Sequence, residues 1–179
     1  TAGGEVEIVA RGVPAGLGEP VFDKIKATIA HALFSVGAIM SLEFGAGRKT
    51  AEALGSEWND QPFVQGGKVR WRTNHSGGFL GGMTTGEDLL MRAAIKPTPT
   101  ISKDQDTVDM MTLEAKKLAA ITRRDISLLP RWYPVAEAMV AICIVDALFM
   151  ARGWYGMCKE LDPKWQKLTE PRHKGEYTK

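Results

Sequence analysis

A glycine-rich stretch followed by an apolar run, at residues 74–101, constrains the fold more than any other part of the sequence. It reads NHSGGFLGGMTTGEDLLMRAAIKPTPTI, with two Gly-Gly pairs ahead of the apolar residues 89–95. Glycines permit tight turns, and they also let backbone N–H groups approach a ligand, because no Cβ stands in the way. Residue chemistry alone favours a plain hairpin here, with a wall for a flat anionic ligand as the alternative. The stretch closes with a cation, two hydroxyl groups and two stiffening prolines, which are Lys96, Pro97, Thr98, Pro99 and Thr100.

Alternating polar and apolar residues predict several β-strands around this stretch. The predicted strands are residues 5–11, 38–44, 69–73, 92–95 and 108–113. The strand that ends before Lys96 is expected at a sheet edge, because the prolines that follow remove backbone donors. Residues 48–67 are polar and predict a surface excursion with a short helix near residues 50–54. Residues 114–120 are compatible with either a strand or a helix.

Two segments carry apolar residues at helical spacing. Residues 21–36 place Ile25, Ile29 and Leu33 on one face, and Gly37 is expected to end this helix as its C′ residue. Residues 134–152 start with Pro134 in the first turn and are apolar on most sides, which predicts a buried helix.

The composition is that of a soluble globular protein of one domain. The 179 residues carry a net charge of +2, which is too mild to predict nucleic-acid binding. Cys143 and Cys158 have no metal-ligand spacing, so no metal is predicted, and Cys143 is expected in the core. The apolar run at residues 135–150 contains Glu137 and Asp146, so no membrane span is predicted. A cytoplasmic protein, or a plastid protein after loss of a transit peptide, is the expectation.

Charged residues concentrate at Arg123, Arg124 and Asp125. On a surface, such neighbours form ion pairs that contribute well under about 1 kcal/mol. In a cleft, arginine binds phosphate in bidentate fashion and aspartate acts as a base. The residues alone favour the structural alternative.

Several blocks of the sequence, taken in order, resemble the C-terminal part of chorismate synthases. The blocks are residues 12–24, 45–47, 55–57, 59–60, 74–101 and 130–139. The resemblance implies an α+β fold with helices packed against antiparallel sheet, part of a β-α-β sandwich. It also implies one domain over residues 1–152, with residues 153–179 as a polar C-terminal extension.

The activity implied by the resemblance is that of a lyase of aromatic amino-acid biosynthesis in the shikimate pathway. Phosphate leaves 5-enolpyruvylshikimate 3-phosphate by anti-1,4-elimination to give chorismate, and the reaction needs reduced FMN. The family is associated with NADP and with homotetramers, while the donor of the electrons that reduce FMN stays open. No nucleic-acid or membrane partner is implied.

The resemblance assigns roles to individual positions. Asp125 and Arg123 are the implied catalytic residues. The resemblance thus favours a functional role for them, whereas the residues alone favoured a structural one. The implied flavin contacts are Gly37, Ala38, Gly81, Lys96, Pro97, Thr98, Pro99, Thr100 and Arg123.

The chain also departs from the family pattern. Thr122, Arg124 and Ile126 replace the residues usual around the arginine and aspartate, which puts the tuning of Asp125 in question. The N-terminal half of the family, with two histidines and several phosphate-binding arginines, has no counterpart in these 179 residues. The isolated chain is therefore expected to be inactive, and a non-catalytic flavin-binding or assembly fragment is the alternative.

Overall fold

A computed structural model describes the backbone of residues 1–161 and the side chains of residues 1–153. The first strands in chain order are β1 (Gly4–Ala10), β2 (Ile39–Phe44), β3 (Pro62–Gln65), β4 (Lys68–Trp71) and β5 (Phe79–Leu80). They are followed by β6 (Met83–Thr84), β7 (Leu89–Ile95), β8 (Gln105–Val108) and β9 (Ala115–Leu118). The helices are α1 (Ile25–Phe34), α2 (Gly55–Trp58) and α3 (Leu129–Leu161), with a 3-10 turn at Gly47–Glu52.

A three-stranded antiparallel sheet in the order β1-β7-β2 forms the centre of the described fold. Alternate residues of β7 are buried, at Leu89, Met91, Ala93 and Ile95. They share one apolar core with the buried face of α1 and with one face of α3. Three two-stranded hairpins, β3-β4, β5-β6 and β8-β9, accompany this sheet, and Phe79 of β5 belongs to the same core. The predicted α+β class, with helices against antiparallel sheet, is confirmed.

The apolar run of residues 89–95 is a central strand, which corrects its prediction as an edge strand. It pairs with β1 on one side and β2 on the other. Pro97 and Pro99 lie beyond its last residue, so they interrupt no ladder.

The first helix is shorter than predicted. It begins at Ile25, and Val21 and Phe22 are 71% and 87% exposed outside it. The reason is a turn in which the Glu19 N–H donates to the Asp23 carbonyl oxygen at 2.9 Å, which prevents residues 19–23 from joining the helix. Gly37 is not the C′ residue, because the C-cap is Ser35.

The second long helix differs from its prediction in two respects. It starts at Leu129, so Pro134 lies inside it rather than in the first turn. It is also buried on one face only, through Trp132, Ala136, Val140 and Cys143. The spacing i, i+4, i+8 and i+11 follows the helical period, because α1 and the sheet cover only that side.

The predicted strand at residues 108–113 is wrong except for Val108, which ends β8, because residues 109–113 lie in the turn of the β8-β9 hairpin. The Asp109 Oδ1 atom accepts hydrogen bonds from the N–H groups of Met111 and Thr112, at 2.9 and 3.2 Å, and this arrangement closes the turn. Residues 115–118 are a strand, which resolves the open alternative for that segment. The surface excursion contains the 3-10 turn and α2, and it also contains β3, which the sequence pattern missed.

One helix in the described part of the chain is long and apolar enough to cross a membrane. It is the section Leu129–Gly153 of α3, with a mean hydropathy of 1.9. A core helix of a soluble protein passes the same test. Here one face of the helix packs into the core of the fold. Length and composition alone therefore do not make it a membrane span.

Candidate functional site

The predicted flavin contacts at residues 37–38 and 96–100 meet at one end of the central sheet. Ile39 and Ile95 pair as neighbours in the register of β2 and β7. Directly beyond them, the Lys96 N–H donates to the Ala38 carbonyl oxygen at 2.9 Å. Ala38 holds a positive φ of 74°, a conformation that costs a non-glycine residue energy. The two segments, 58 positions apart, are thus joined at the sheet end.

A second junction brings the segment of Asp125 to the same place. The Thr98 hydroxyl donates to the Asp125 carbonyl oxygen at 3.0 Å. The Ala2 N–H donates to the Ile126 carbonyl oxygen at 2.8 Å, and the Thr1 hydroxyl donates to the Thr98 carbonyl oxygen at 2.9 Å. The first residues of the chain therefore hold the 98 and 125–126 segments together.

The charged side chains at this junction have different surroundings. Asp125 forms an ion pair with Arg131, with 2.8 Å between Oδ2 and Nη1. Arg124 turns back onto its own loop, and its Nη1 donates to the carbonyl oxygens of Ile121 and Thr122 at 3.0 and 3.3 Å. Lys96 and Arg123 are exposed and make no ion pair with another described residue. These two cations are free to face an anionic ligand.

An apolar hollow of about 360 Å³ lies beside Gly37 and Ala38. Its remaining lining is Val36, Leu128, Arg131, Trp132 and Val135. A Cβ at Gly37 would have no atom within 4 Å, so the backbone is open to a ligand there. The indole N–H of Trp132 is buried and has no hydrogen-bond partner among the described residues. Apolar walls with exposed cations nearby suit a flat, anionic ligand.

Residue-by-residue reasoning missed the part of this hollow that comes from the start of α3. No role was predicted for Leu128, Arg131, Trp132 and Val135, although residues 130–139 form a block of the resemblance. The ion pair between Asp125 and Arg131 joins positions six apart in a turn that leads into a helix. Local sequence gives no signal for such a pair.

Gly81 lies near the start of α1, whereas the hollow lies at the other end of that helix. It sits in the tight turn between β5 and β6, with φ at +62° and no atom within 4 Å of an added Cβ. The neighbouring Gly82 carbonyl oxygen accepts from Ile25, the first residue of α1, whereas Gly37 follows the end of α1. The helix has 10 residues and so separates the two glycines by about 15 Å.

The first glycines of residues 74–101 serve backbone packing. A Cβ on Gly77 would lie 2.4 Å from the nitrogen of Gly45, and a Cβ on Gly45 would lie 2.1 Å from the carbonyl oxygen of His75. Both glycines have a positive φ. The plain structural interpretation therefore holds for this half of the stretch, while its Lys96 end belongs to the site.

Asp60 holds the turn at residues 73–76, directly before Gly77. Its carboxylate accepts from the Thr73 hydroxyl at 2.6 Å, the His75 N–H at 2.8 Å, and the N–H and hydroxyl of Ser76 at 2.9 and 2.6 Å. Partial burial raises the pKa of Asp60, but the hydrogen bonds from Ser76, Thr73 and His75 outweigh it and lower the pKa to about 2. Trp58 stacks on the His75 ring beside it, with ring centroids 5.3 Å apart.

Cys143 is buried in the core, as predicted, at 5% exposure. Burial, and then the negative charge of Asp146, raise the pKa of its thiol. It lines a second cavity of about 200 Å³ with Asp23, Thr28 and Asp146. No group of three or more potential metal ligands occurs among the described residues.

Fold and site together define an α+β protein in which the end of an antiparallel sheet and the start of a helix frame an open apolar hollow with cations nearby. The chain belongs to the chorismate synthase family, whose model matches residues 1–149. The resemblance drawn from the sequence blocks is thereby confirmed.

Individual relatives agree with this membership. A chorismate synthase of Acetivibrio thermocellus is 54% identical over 170 residues, covering 94% of this chain and 43% of that protein. One of Archaeoglobus fulgidus is 48% identical, covering 84% of this chain and 42% of that protein. A crystal structure of chorismate synthase superimposes with a TM-score of 0.70 at 28% identity, covering 93% of this chain and 44% of the other. The chain thus spans about two fifths of the length of the curated relatives it matches.

Proposed function

We propose that the complete protein containing this chain is a chorismate synthase, a lyase of aromatic amino-acid biosynthesis. It would eliminate phosphate from 5-enolpyruvylshikimate 3-phosphate in the anti-1,4 sense to give chorismate. The observation that carries the proposal is the junction at the sheet end. In a chain of this family, Ala38, Lys96, Thr98, Asp125 and Arg131 come together from separate segments.

We propose reduced FMN as the cofactor of this site. The hollow beside Gly37 and Ala38 offers apolar walls for a flat ring, and the exposed cations of Lys96 and Arg123 suit its negative charge. Pro97, Pro99 and Thr100 follow the end of β7 directly after Lys96, and we propose them as further contacts of the flavin. When bound, reduced flavin supplies transient electron donation to the substrate without net redox change.

The catalytic roles fall to Arg123 and Asp125. The exposed guanidinium of Arg123 would stabilise negative charge that develops on the departing phosphate. The carboxylate of Asp125 would hold or accept a proton at this end of the sheet. Its backbone is fixed by Thr98 and its Oδ2 by Arg131, so its position is defined before any ligand arrives.

Gly81 is proposed as a contact for a part of the cofactor remote from the hollow. Its backbone is open, because no atom of a described residue lies within 4 Å of an added Cβ. Its place about 15 Å from Gly37 means that one ligand group cannot touch both residues.

We propose that the 179 residues alone are inactive and that the active assembly is a cytoplasmic homotetramer. One side of α3 leaves large apolar side chains exposed, with Ile142 at 62% and Met150 at 68%. Exposed apolar patches of this kind mark interaction surfaces. The same observation favours the second candidate, a non-catalytic flavin-binding or assembly piece.

Titration of the 179-residue chain with reduced FMN under anaerobic conditions tests whether this chain carries the proposed flavin site. Binding observed by absorbance, weakened about tenfold by Lys96→Ala and unchanged by the control Lys103→Ala, supports the proposed site. Lys103 is also an exposed lysine, but it lies outside the sheet-end junction. Absence of binding at high micromolar FMN would favour the assembly candidate.

The activity itself is tested on the complete gene product. With reduced FMN and 5-enolpyruvylshikimate 3-phosphate, it should release equal amounts of phosphate and chorismate. Release of neither product by a folded, flavin-loaded protein would refute the proposed function.

A further inference from the structure

We propose that Arg131 is a positioning residue of this site, which acts by fixing the carboxylate of Asp125 beside the apolar hollow. The inference rests on the proposed function for the role of Asp125. It adds a residue from the first turns of α3 to a site that the sequence motifs assigned only to the loops before it.

The geometry holds both partners of the pair. The Arg131 N–H donates to the Leu128 carbonyl oxygen at 3.0 Å, which anchors its backbone in the first turn of the helix. The Leu129 N–H donates to the Ser127 hydroxyl at 3.3 Å and fixes the entry into that turn. On the other side, Thr98 holds the backbone carbonyl of Asp125. The 2.8 Å ion pair thus joins two backbones that are each independently fixed.

Stability does not account for this pair. The Arg131 side chain is 76% exposed and the Asp125 side chain 35% exposed, and pairs this exposed add little to the free energy of unfolding. A similar pair occurs elsewhere on the surface, between Arg11 and Asp88, at 3.5 Å with Arg11 80% exposed. The two pairs differ in their surroundings, because Arg131 also lines the hollow beside Gly37 and Ala38.

Arginine suits this position for two reasons. Its guanidinium stays charged at any physiological pH, and it carries five donors in a rigid fork. Its Nη1 lies 2.8 Å from Oδ2 of Asp125, and the planar guanidinium sets the direction from which it approaches that oxygen. Lysine would keep the charge but lose the fixed direction of the bond.

The test compares variants of the complete gene product loaded with reduced FMN. Arg131→Gln should lower kcat by on the order of tenfold or more, because a small displacement of a reacting group lowers the reaction rate steeply. Arg131→Lys should recover part of that loss. Adding Arg131→Gln to Asp125→Asn should cause no further fall, since Arg131 acts through Asp125. Arg11→Gln is the matched control and should leave kcat unchanged.

Two results would overturn the inference. One is a kcat of Arg131→Gln within twofold of the unaltered protein, and the other is a double variant whose loss equals the product of the two single losses. A measurement without turnover separates this inference from the proposed function. The side-chain carboxyl carbon resonance of Asp125 should move in Arg131→Gln and stay in place in Arg11→Gln. If the unaltered protein has no activity, the proposed function is wrong. The Asp125 resonance then still shows whether Arg131 positions that carboxylate.

Discussion

Single residues show that the glycine-rich stretch serves two purposes. Gly45 and Gly77 let two backbones touch, and Asp60 holds the turn directly before Gly77 through four hydrogen bonds. Lys96 and Thr98, at the other end of the stretch, join the candidate site. The glycines near the start of the stretch fix the position of β7, and Lys96 and Thr98 follow directly after that strand.

Asp60→Asn should destabilise the chain by about 1 kcal/mol at neutral pH, a value reduced from the full pKa shift because the group is partly exposed. The pKa of Asp60 is lowered from 3.8 to about 2, so its contribution is complete above about pH 4 and disappears as pH falls through about 2. Urea unfolding at pH 7 and at pH 2 measures this contribution. Asp106→Asn is the control, because that side chain is 86% exposed. An equal effect of both variants at pH 7 would contradict the anchoring role.

Gly77→Ala and Gly81→Ala form a matched pair, since both glycines have a positive φ near 65°. Both changes should cost about 1 kcal/mol for the left-handed backbone. Gly77→Ala should cost a further 2 kcal/mol or so, because its Cβ would lie 2.4 Å from the Gly45 nitrogen, while Gly81 has open space. Unfolding followed by tryptophan fluorescence compares the two. Equal losses of stability would mean that the close approach of residues 45 and 77 is absent in solution.

At the scale of the elements, some strands and helix faces follow from the sequence pattern and others do not. The strand at residues 5–11, the strand at residues 38–44 and the buried face of α1 through Ile25, Ile29 and Leu33 follow from periodicity alone. The central place of β7 does not, because strand order depends on pairing partners some 50 to 90 residues away. The turn at Asp109 was missed because its methionines and leucine resemble a strand while the aspartate sets the local geometry.

The residues of the candidate site, too, could be predicted from the sequence only in part. The resemblance supplied Ala38, Lys96, Thr98 and Asp125, and the structure brings these four together. Their neighbourhood could not be inferred locally, because it depends on the end of β7 meeting the start of α3. Arg131 and Trp132 were missed for that reason.

The outward face of α3 is predicted to be an association surface. Ile142→Glu should change the stability of the 179-residue chain by less than about 0.5 kcal/mol, because Ile142 is 62% exposed. It should abolish association with the rest of a family chain, since a charge would then be buried. Val140→Ala, at a position 3% exposed, is the contrast and should cost about 2 kcal/mol in the chain alone. Association that survives Ile142→Glu would assign the surface elsewhere.

At the scale of the whole molecule, the described fold has one well-packed core and one open side. The sheet, α1 and the inner face of α3 form the core, while the hollow and the outward face of α3 remain exposed. The relatives that match the chain are about twice its length. We therefore propose that the remaining part of a family chain covers the open side and completes the flavin site.

Reconstitution from two pieces tests this account most directly. The 179-residue chain is mixed with the part of the Acetivibrio thermocellus relative that it does not match, in the presence of reduced FMN and 5-enolpyruvylshikimate 3-phosphate. Each piece alone should release no chorismate, and the mixture should form a complex that releases chorismate and phosphate in equal amounts. Turnover by the 179 residues alone at the rate of the complete enzyme, or a stable flavin-loaded complex without turnover, would contradict the account.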